Sequence, residues 1–330
     1  MTMCILYLTS IDRIAAIKTI DIFKASGENA MTKKLCTSML AVLMILSVFI
    51  PSAFAVEPGE ERVTLGADLS KEQIDQIYED FNVERGTVTE LIVTNDEERE
   101  YLAGLVPDKK IGKVALSCIY ITTLEEGAGI NITTHNINWC TDDMYVNALI
   151  TAGVEDARVM VSAPFEVSGT AALTGVFKAY EDITGVKLDE TSKEAAAEEL
   201  VITGELAESI GSDNATVLIN ELKKIIDQTK EMSDEELRAE IIKIADAQDI
   251  ELTEEEIDQI ISLCRTLEKI DASEWAERLS QLGQAMKTAQ EAGESVSAFF
   301  ESVGDFFVDV GDFFTGVFKS VGDFFGDIFG

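Results

Sequence analysis

Chemistry has few starting points in this chain, because His135 is the only histidine and any Ser-His-Asp, Cys-His or multi-histidine arrangement would have to pass through it. It follows Thr133-Thr134 in a segment of strand-like composition, where a histidine reads as a surface residue. Glu125-Glu126 and Asp142-Asp143 are the right type for carboxylate-based hydrolysis or calcium ligation, although a chain with 61 Asp and Glu makes such pairs by chance. Ser168-Gly169-Thr170 begins a run of small residues ending at Gly175, at the expected start of a helix, where backbone N–H groups could hold an anion. The run lacks the lysine of a phosphate-binding loop and the glycine spacing of a dinucleotide-binding turn, so tight helix-on-strand packing is the plainer explanation. The acidic stretch Asp246 to Glu256 has Glu251 where a helix-loop-helix calcium loop needs glycine and Ile250 at a ligand position, which rules it out as such a loop. These residues point to no catalytic, cofactor or metal site, with calcium left open as a ligand.

The elements around these residues fall into two compositions that change near residue 187. From residue 62 to about 185, strand-like runs at Arg62–Gly66, Val88–Thr94, Lys113–Thr123, Gly129–Trp139 and Ala157–Phe165 alternate with helical ones. Ser70 with Gln73 predicts a capping box, Asn95 and Thr141 read as helix caps, Ser168 opens a helix through Tyr180, and Glu125–Gly129 reads as a hairpin connection. The expected fold is an α/β domain over residues 56–186, a mixed sheet with covering helices. An all-α domain follows over 187–292, with helices beginning after Ser192 and Asp213 and at the capping boxes Ser233/Glu236 and Thr253/Glu256. Of the cysteines, Cys118, Cys140 and Cys264 show no metal-type spacing and read as small buried residues, while Cys118 and Cys140 in consecutive strands could face each other.

Both ends carry information of a different kind. Lys33-Lys34, the apolar run Leu35–Ile50 and Ala53-Phe54-Ala55 form a signal peptide over residues 31–55, so the chain is expected to be exported and to act outside the cytoplasm or on the cell surface. Residues 1–30 read as an extension from a start codon taken too early. The formal charge of −35 disfavours nucleic acid, whose binding needs Lys and Arg to replace counterions on phosphate.

The last segment, residues 293–330, repeats Val-Gly-Asp-Phe-Phe at Val303, Val310 and Val321, offsets that keep one helical face in phase. Val303, Phe306, Phe307, Val310, Phe313, Phe314, Val317, Val321, Phe324 and Phe325 make this a Phe-rich amphipathic helix and a candidate contact surface. Its interior glycines each cost a helix about 0.8–1 kcal/mol relative to Ala, so it needs a surface to fold against. That surface is the protein's own helical domain, another copy of residues 295–329, or a membrane. It is too rich in Asp to span a bilayer, where each Asp costs about 2.5–3.5 kcal/mol.

The strings Asn136-Ile-Asn-Trp-Cys-Thr-Asp-Asp-Met-Tyr-Val-Asn-Ala-Leu-Ile-Thr-Ala-Gly153, Asp156-Ala-Arg-Val-Met-Val-Ser-Ala-Pro-Phe165 and Val167-Ser-Gly-Thr-Ala-Ala-Leu-Thr-Gly175 resemble the YpuA-like family of secreted Gram-positive proteins, a domain of unknown function. The resemblance implies export and an envelope setting, and brings no catalytic or ligand residues. The reading is a non-enzymatic, envelope-associated binding or structural protein with an unknown small-molecule ligand; the alternative is a calcium-dependent or carboxylate-based hydrolase acting on envelope material.

Overall fold

A computed structural model describes residues 57–105 and 111–271, with the short runs 274–275 and 278–280. The signal peptide, the extension before it and the Phe-rich segment expected at 293–330 lie outside the described residues. Five strands, β1 (Glu61–Gly66), β2 (Thr89–Val93), β3 (Cys118–Thr123), β4 (Ile130–Ile137) and β5 (Ala157–Val167), form one mixed sheet in the order β2-β1-β3-β5-β4. The β1–β2 and β4–β5 pairs are parallel; β1–β3 and β3–β5 are antiparallel.

The expected hairpin between β3 and β4 does not form, because β5 lies between them. Two features account for this. Ala157, Val159, Val161, Ser162 and Ala163 of β5 are all buried, a composition that suits an interior strand, whereas Asn131 and Thr133 of β4 are exposed, as at an edge. Asp156 then fastens the intervening turn to the start of β5: its carboxylate accepts from Gly127 N at 3.0 Å and Gly129 N at 2.7 Å, and its carbonyl accepts from Leu124 N at 2.6 Å.

Helix α1 (Lys71–Phe81) covers one face of the sheet, burying Ile77, Tyr78 and Phe81 on Val63, Leu65 and Cys118. The opposite face carries Ile119, Ile121, Val159 and Val161 under α3 (Asp142–Ala152) and α4 (Thr170–Thr184), with α2 (Asn95–Leu102) beside α4. Cys118 belongs to the first of these cores and Cys140 to the second, so the sheet separates them and they do not face each other. The reading of Cys118, Cys140 and Cys264 as buried residues holds. The Ser70/Gln73 capping box forms as predicted. The cap of α2 is Thr94 rather than Asn95, since Thr94 has its own capping partner in Glu97.

The remaining elements are helical: α5 (Glu190–Ile210), α6 (Ser212–Lys224), the single turn α7 (Ile226–Thr229), α8 (Asp234–Ala247) and α9 (Glu254–Leu267). Asp189, not Ser192, caps α5, and α6 begins after Gly211. Ser233/Glu236 and Thr253/Glu256 form the predicted boxes. Helix α5 is apolar on two sides. Its Ala196, Ala197, Leu200 and Val201 enter the core beneath the sheet, while Ala195, Ile202 and Leu206 enter the helical core with α6, α8 and α9.

Candidate functional site

Strand β4 ends in a bulge that positions the site. Asn136 takes a positive φ of 58°, its amide donates to Ala163 O at 2.8 Å, and pairing with β5 resumes only at Ile137 opposite Val167. Asn138 N then donates to Val167 O and Cys140 N to Ser168 O, holding residues 138–140 beside the end of β5. Trp139 is thereby presented at the carboxyl ends of two parallel strands, the place where open α/β sheets tend to form ligand crevices. Its indole N–H donates to Glu208 Oε1 at 2.8 Å, and its ring lies so close to Gly204 that a Cβ there would come within 2.5 Å of the ring. A glycine at 204 is therefore required by the tryptophan.

Two cavities share Asn138 and Trp139 in their walls. The first, of about 410 Å³, lies at the N-terminus of α4 and contains Ser168, Gly169 and Thr170, the residues marked from sequence as a possible anion site. Gly169 has φ 97°, and a Cβ would stand 2.4 Å from the Tyr145 hydroxyl, so the chain needs glycine here. What faces this helix start is the protein's own carboxylate. Glu98, 1% exposed, accepts from Thr170 Oγ1 at 2.6 Å and Asn95 Nδ2 at 3.0 Å, and burial pushes its carboxyl up in spite of both bonds.

The second cavity, of about 500 Å³, is lined by the starts of α3 and α6, including Asp142, Asp143, Asp213 and Thr216. Thr141 caps α3 through a bond from Met144 N at 3.3 Å. Burial, then the carboxylates of Asp142 and Asp213, raise Asp143 above the ordinary aspartate range. Among the described residues, neither cavity is lined by a Lys or Arg.

Further along α3 and α6 from the second cavity runs a buried polar seam. Lys223 and Glu199, each 1% exposed, form an ion pair at 2.7 Å; Lys223 Nζ also donates to Asn147 O at 3.3 Å, and Glu199 accepts from Thr151 Oγ1 at 2.5 Å. Desolvation lowers the Lys223 ammonium, opposed by the Glu199 charge. Arg278 closes the seam through Thr151 O at 2.7 Å and Ser192 Oγ at 3.0 Å.

His135 does sit in a Ser-His-Asp cluster, which the sequence reading placed simply on the surface. Asp80 Oδ2 lies 3.3 Å from His135 Nδ1, and Ser162 Oγ donates to the same Asp80 oxygen at 2.7 Å while lying 3.4 Å from Nδ1. A hydrolytic triad needs the serine on one imidazole nitrogen and the acid on the other. Here both meet Nδ1, and Ser162 is 1% exposed, so no nucleophile is presented to a substrate. His135 is itself exposed, as expected.

Of the two acid pairs, Glu125-Glu126 lies exposed in the β3–β4 connection and Asp142-Asp143 lies in the second cavity. Sequence reasoning missed Glu98, Trp139 and Asp213 as site residues, because only the fold brings them together. Among the described residues, no group of three or more His, Cys, Asp or Glu is arranged to hold a metal ion, and no helix is long and apolar enough to cross a membrane.

Residues 65–285 match the family described as protein of unknown function DUF1002. The chain is 39% identical over 256 residues to an uncharacterized protein, YpuA, of Bacillus subtilis strain 168, covering 77% of this chain and 87% of that relative. No solved structure matches it.

Proposed function

The chain belongs to the DUF1002 family of proteins of unknown function, and from that premise we propose that it is an exported, envelope-associated binding protein. In this reading the twin cavities around Trp139 hold the ligand, and the Phe-rich end at residues 295–329 holds the protein to a membrane surface. The observation that carries the binding role is the pair of cavities, about 410 and 500 Å³, meeting at one partly exposed tryptophan. The Ser162–His135–Asp80 arrangement supports binding over nucleophilic catalysis, because its serine is buried and bonded to the acid.

The raised carboxyls of Asp143 and Glu98, one in each cavity, are what a carboxylate-based hydrolase would use. That second reading requires turnover of envelope material that Asp143→Asn abolishes; the binding reading requires that there be no turnover to abolish.

Vesicle flotation of residues 56–330 beside the Phe306→Asp/Phe313→Asp/Phe324→Asp variant tests the membrane role. Flotation of the unaltered chain, lost in the variant, supports it. If neither form floats and light scattering reports a closed monomer or an assembly, the segment serves the protein itself and the membrane role is withdrawn.

A further inference from the structure

We infer that the first cavity, at the start of α4, takes a neutral sugar ring, seated beside Trp139 and hydrogen-bonded by the Ser117 hydroxyl and the Asn138 amide. The inference rests on the reading of the Trp139 cleft as a binding site and adds the class of ligand.

The first observation is a polar group left without a partner. Ser117, just before β3, is 5% exposed and lines the cavity, yet among the described residues its hydroxyl makes no hydrogen bond. The oxygen is not sealed off by its neighbours, so what exposure the residue has is toward the cavity. Buried hydroxyls are rarely left unmet, because each gives up its bonds to water. The exposed Asn138 amide in the same wall also makes no hydrogen bond among the described residues. Helix α4 begins in this wall at Gly169, with no side chain capping its first N–H groups.

Charge selects an uncharged ligand. Glu98 and Glu166 stand in the wall, and among the described residues no Lys or Arg does, which disfavours an anion. A cation meets the positive end of α4 instead. Glu98 offers it little, being bonded to Thr170 and Asn95 and pushed toward its neutral form by burial. Arg99, on the same helix as Glu98, has its guanidinium on Asn95 Oδ1 at 3.0 Å and on Gly112 O at 2.6 Å, and is not part of the wall.

What the wall offers matches a ring of hydroxyl groups. The Ser117 hydroxyl and the Asn138 amide can each donate and accept, as a sugar hydroxyl does. Trp139 supplies broad apolar surface for the C–H face of a pyranose, and its bond to Glu208 and contact with Gly204 hold it in place. Ile111, Val114 and Leu116 continue the apolar side and suit the methyl of an acetamido group. At about 410 Å³ the space is of the size that holds a small ligand.

Isothermal titration calorimetry of residues 56–330 with N-acetylglucosamine tests the proposal. It is run beside glucosamine, which has an ammonium in place of the acetamido group, and N-acetylmuramic acid, which adds a carboxylate. We expect saturable one-to-one binding of N-acetylglucosamine, with both charged sugars about tenfold weaker. Ser117→Ala should weaken binding about fivefold, the ordinary effect of losing one neutral hydrogen bond. Glu251→Gln, at an exposed acid in the α8–α9 turn, should leave it unchanged. Circular dichroism confirms that each variant is folded. The proposal is overturned by an absence of saturable binding, by tighter binding of either charged sugar, or by an unchanged affinity in Ser117→Ala. The accessibility of Trp139 to a soluble probe reads the cleft independently. An open cleft that takes no sugar removes this class of ligand alone, whereas a closed one removes the binding reading with it.

Discussion

In the α8–α9 hairpin the acids have work within the fold. Arg238 bridges Glu254 and Asp258, Arg265 joins Asp234 to Glu268, and Glu236 and Glu256 complete capping boxes. Around Trp139 the same side-chain type is left over. Among the described residues, Asp143 and Asp213 face a cavity without a basic side chain, and Glu98 is buried with neutral donors, Thr170 and Asn95, on its carboxylate. These acids lie in the first turns of α2, α3 and α6, where the helix dipole favours negative charge, yet burial and mutual repulsion work against Asp143 there. The difference separates acids neutralised by a basic partner from acids held by helix N-termini alone.

The largest effect that would sharpen this contrast lies in the buried seam between α3, α5 and α6. Lys223→Met removes the one basic partner that Glu199, 1% exposed, has among the described residues, and is expected to cost about 3–5 kcal/mol in urea unfolding. Lys223→Met/Glu199→Met should recover most of that loss, because the cost comes from the orphaned charge. If the single variant costs less than about 1 kcal/mol, the pair is not buried as described.

In the hairpin, Ser233→Ala should cost about 1 kcal/mol in urea unfolding, the ordinary value of a helix cap. A cost close to zero would mean that the box does not hold the start of α8.

The smallest effect has the most informative sign. Because folding raises the Asp143 carboxyl, the folded chain keeps a proton there at pH values where the unfolded chain has lost it. Its stabilising share is thus complete below the unfolded value of about 3.9 and is lost as pH rises through the raised folded value. At neutral pH the ionised group is a burden, so Asp143→Asn should stabilise by about 0.5 kcal/mol after solvent screening, and the gain should fade on acidification. Thermal melts at several pH values read this directly; destabilisation at neutral pH would mean that Asp143 already has a partner within the fold.

The same contrast explains how much was legible in the sequence. Capping boxes such as Ser233/Glu236 and the alternation within β1 and β3 are local, and all five strands and most helix starts follow from them. The insertion of β5 between β3 and β4 is not local, since it depends on Asp156 reaching back to Gly127 and Gly129. The site is less legible still. Asn220 and Lys223 on α6, like Asn147 and Thr151 on α3, read as a solvated helix face beside Val217, Leu218 and Leu222, yet they point into the protein. Nothing in the spacing of Glu98, Trp139 and Asp213 announces that α2, β4 and α6 bring them to one cleft. Asp142-Asp143 was visible as a pair, but its neighbour Asp213 was not.

The most direct test of the Trp139 cleft as the binding site uses the chain's two tryptophans, since Trp139 lines both cavities and Trp275 is 2% exposed in the helical core. Fluorotryptophan is incorporated into residues 56–330 and fluorine NMR is followed as a soluble gadolinium chelate is added. The account predicts broadening of the Trp139 resonance with Trp275 unaffected. A Trp139 resonance as protected as that of Trp275 would mean that the cleft is closed to ligands and would contradict it.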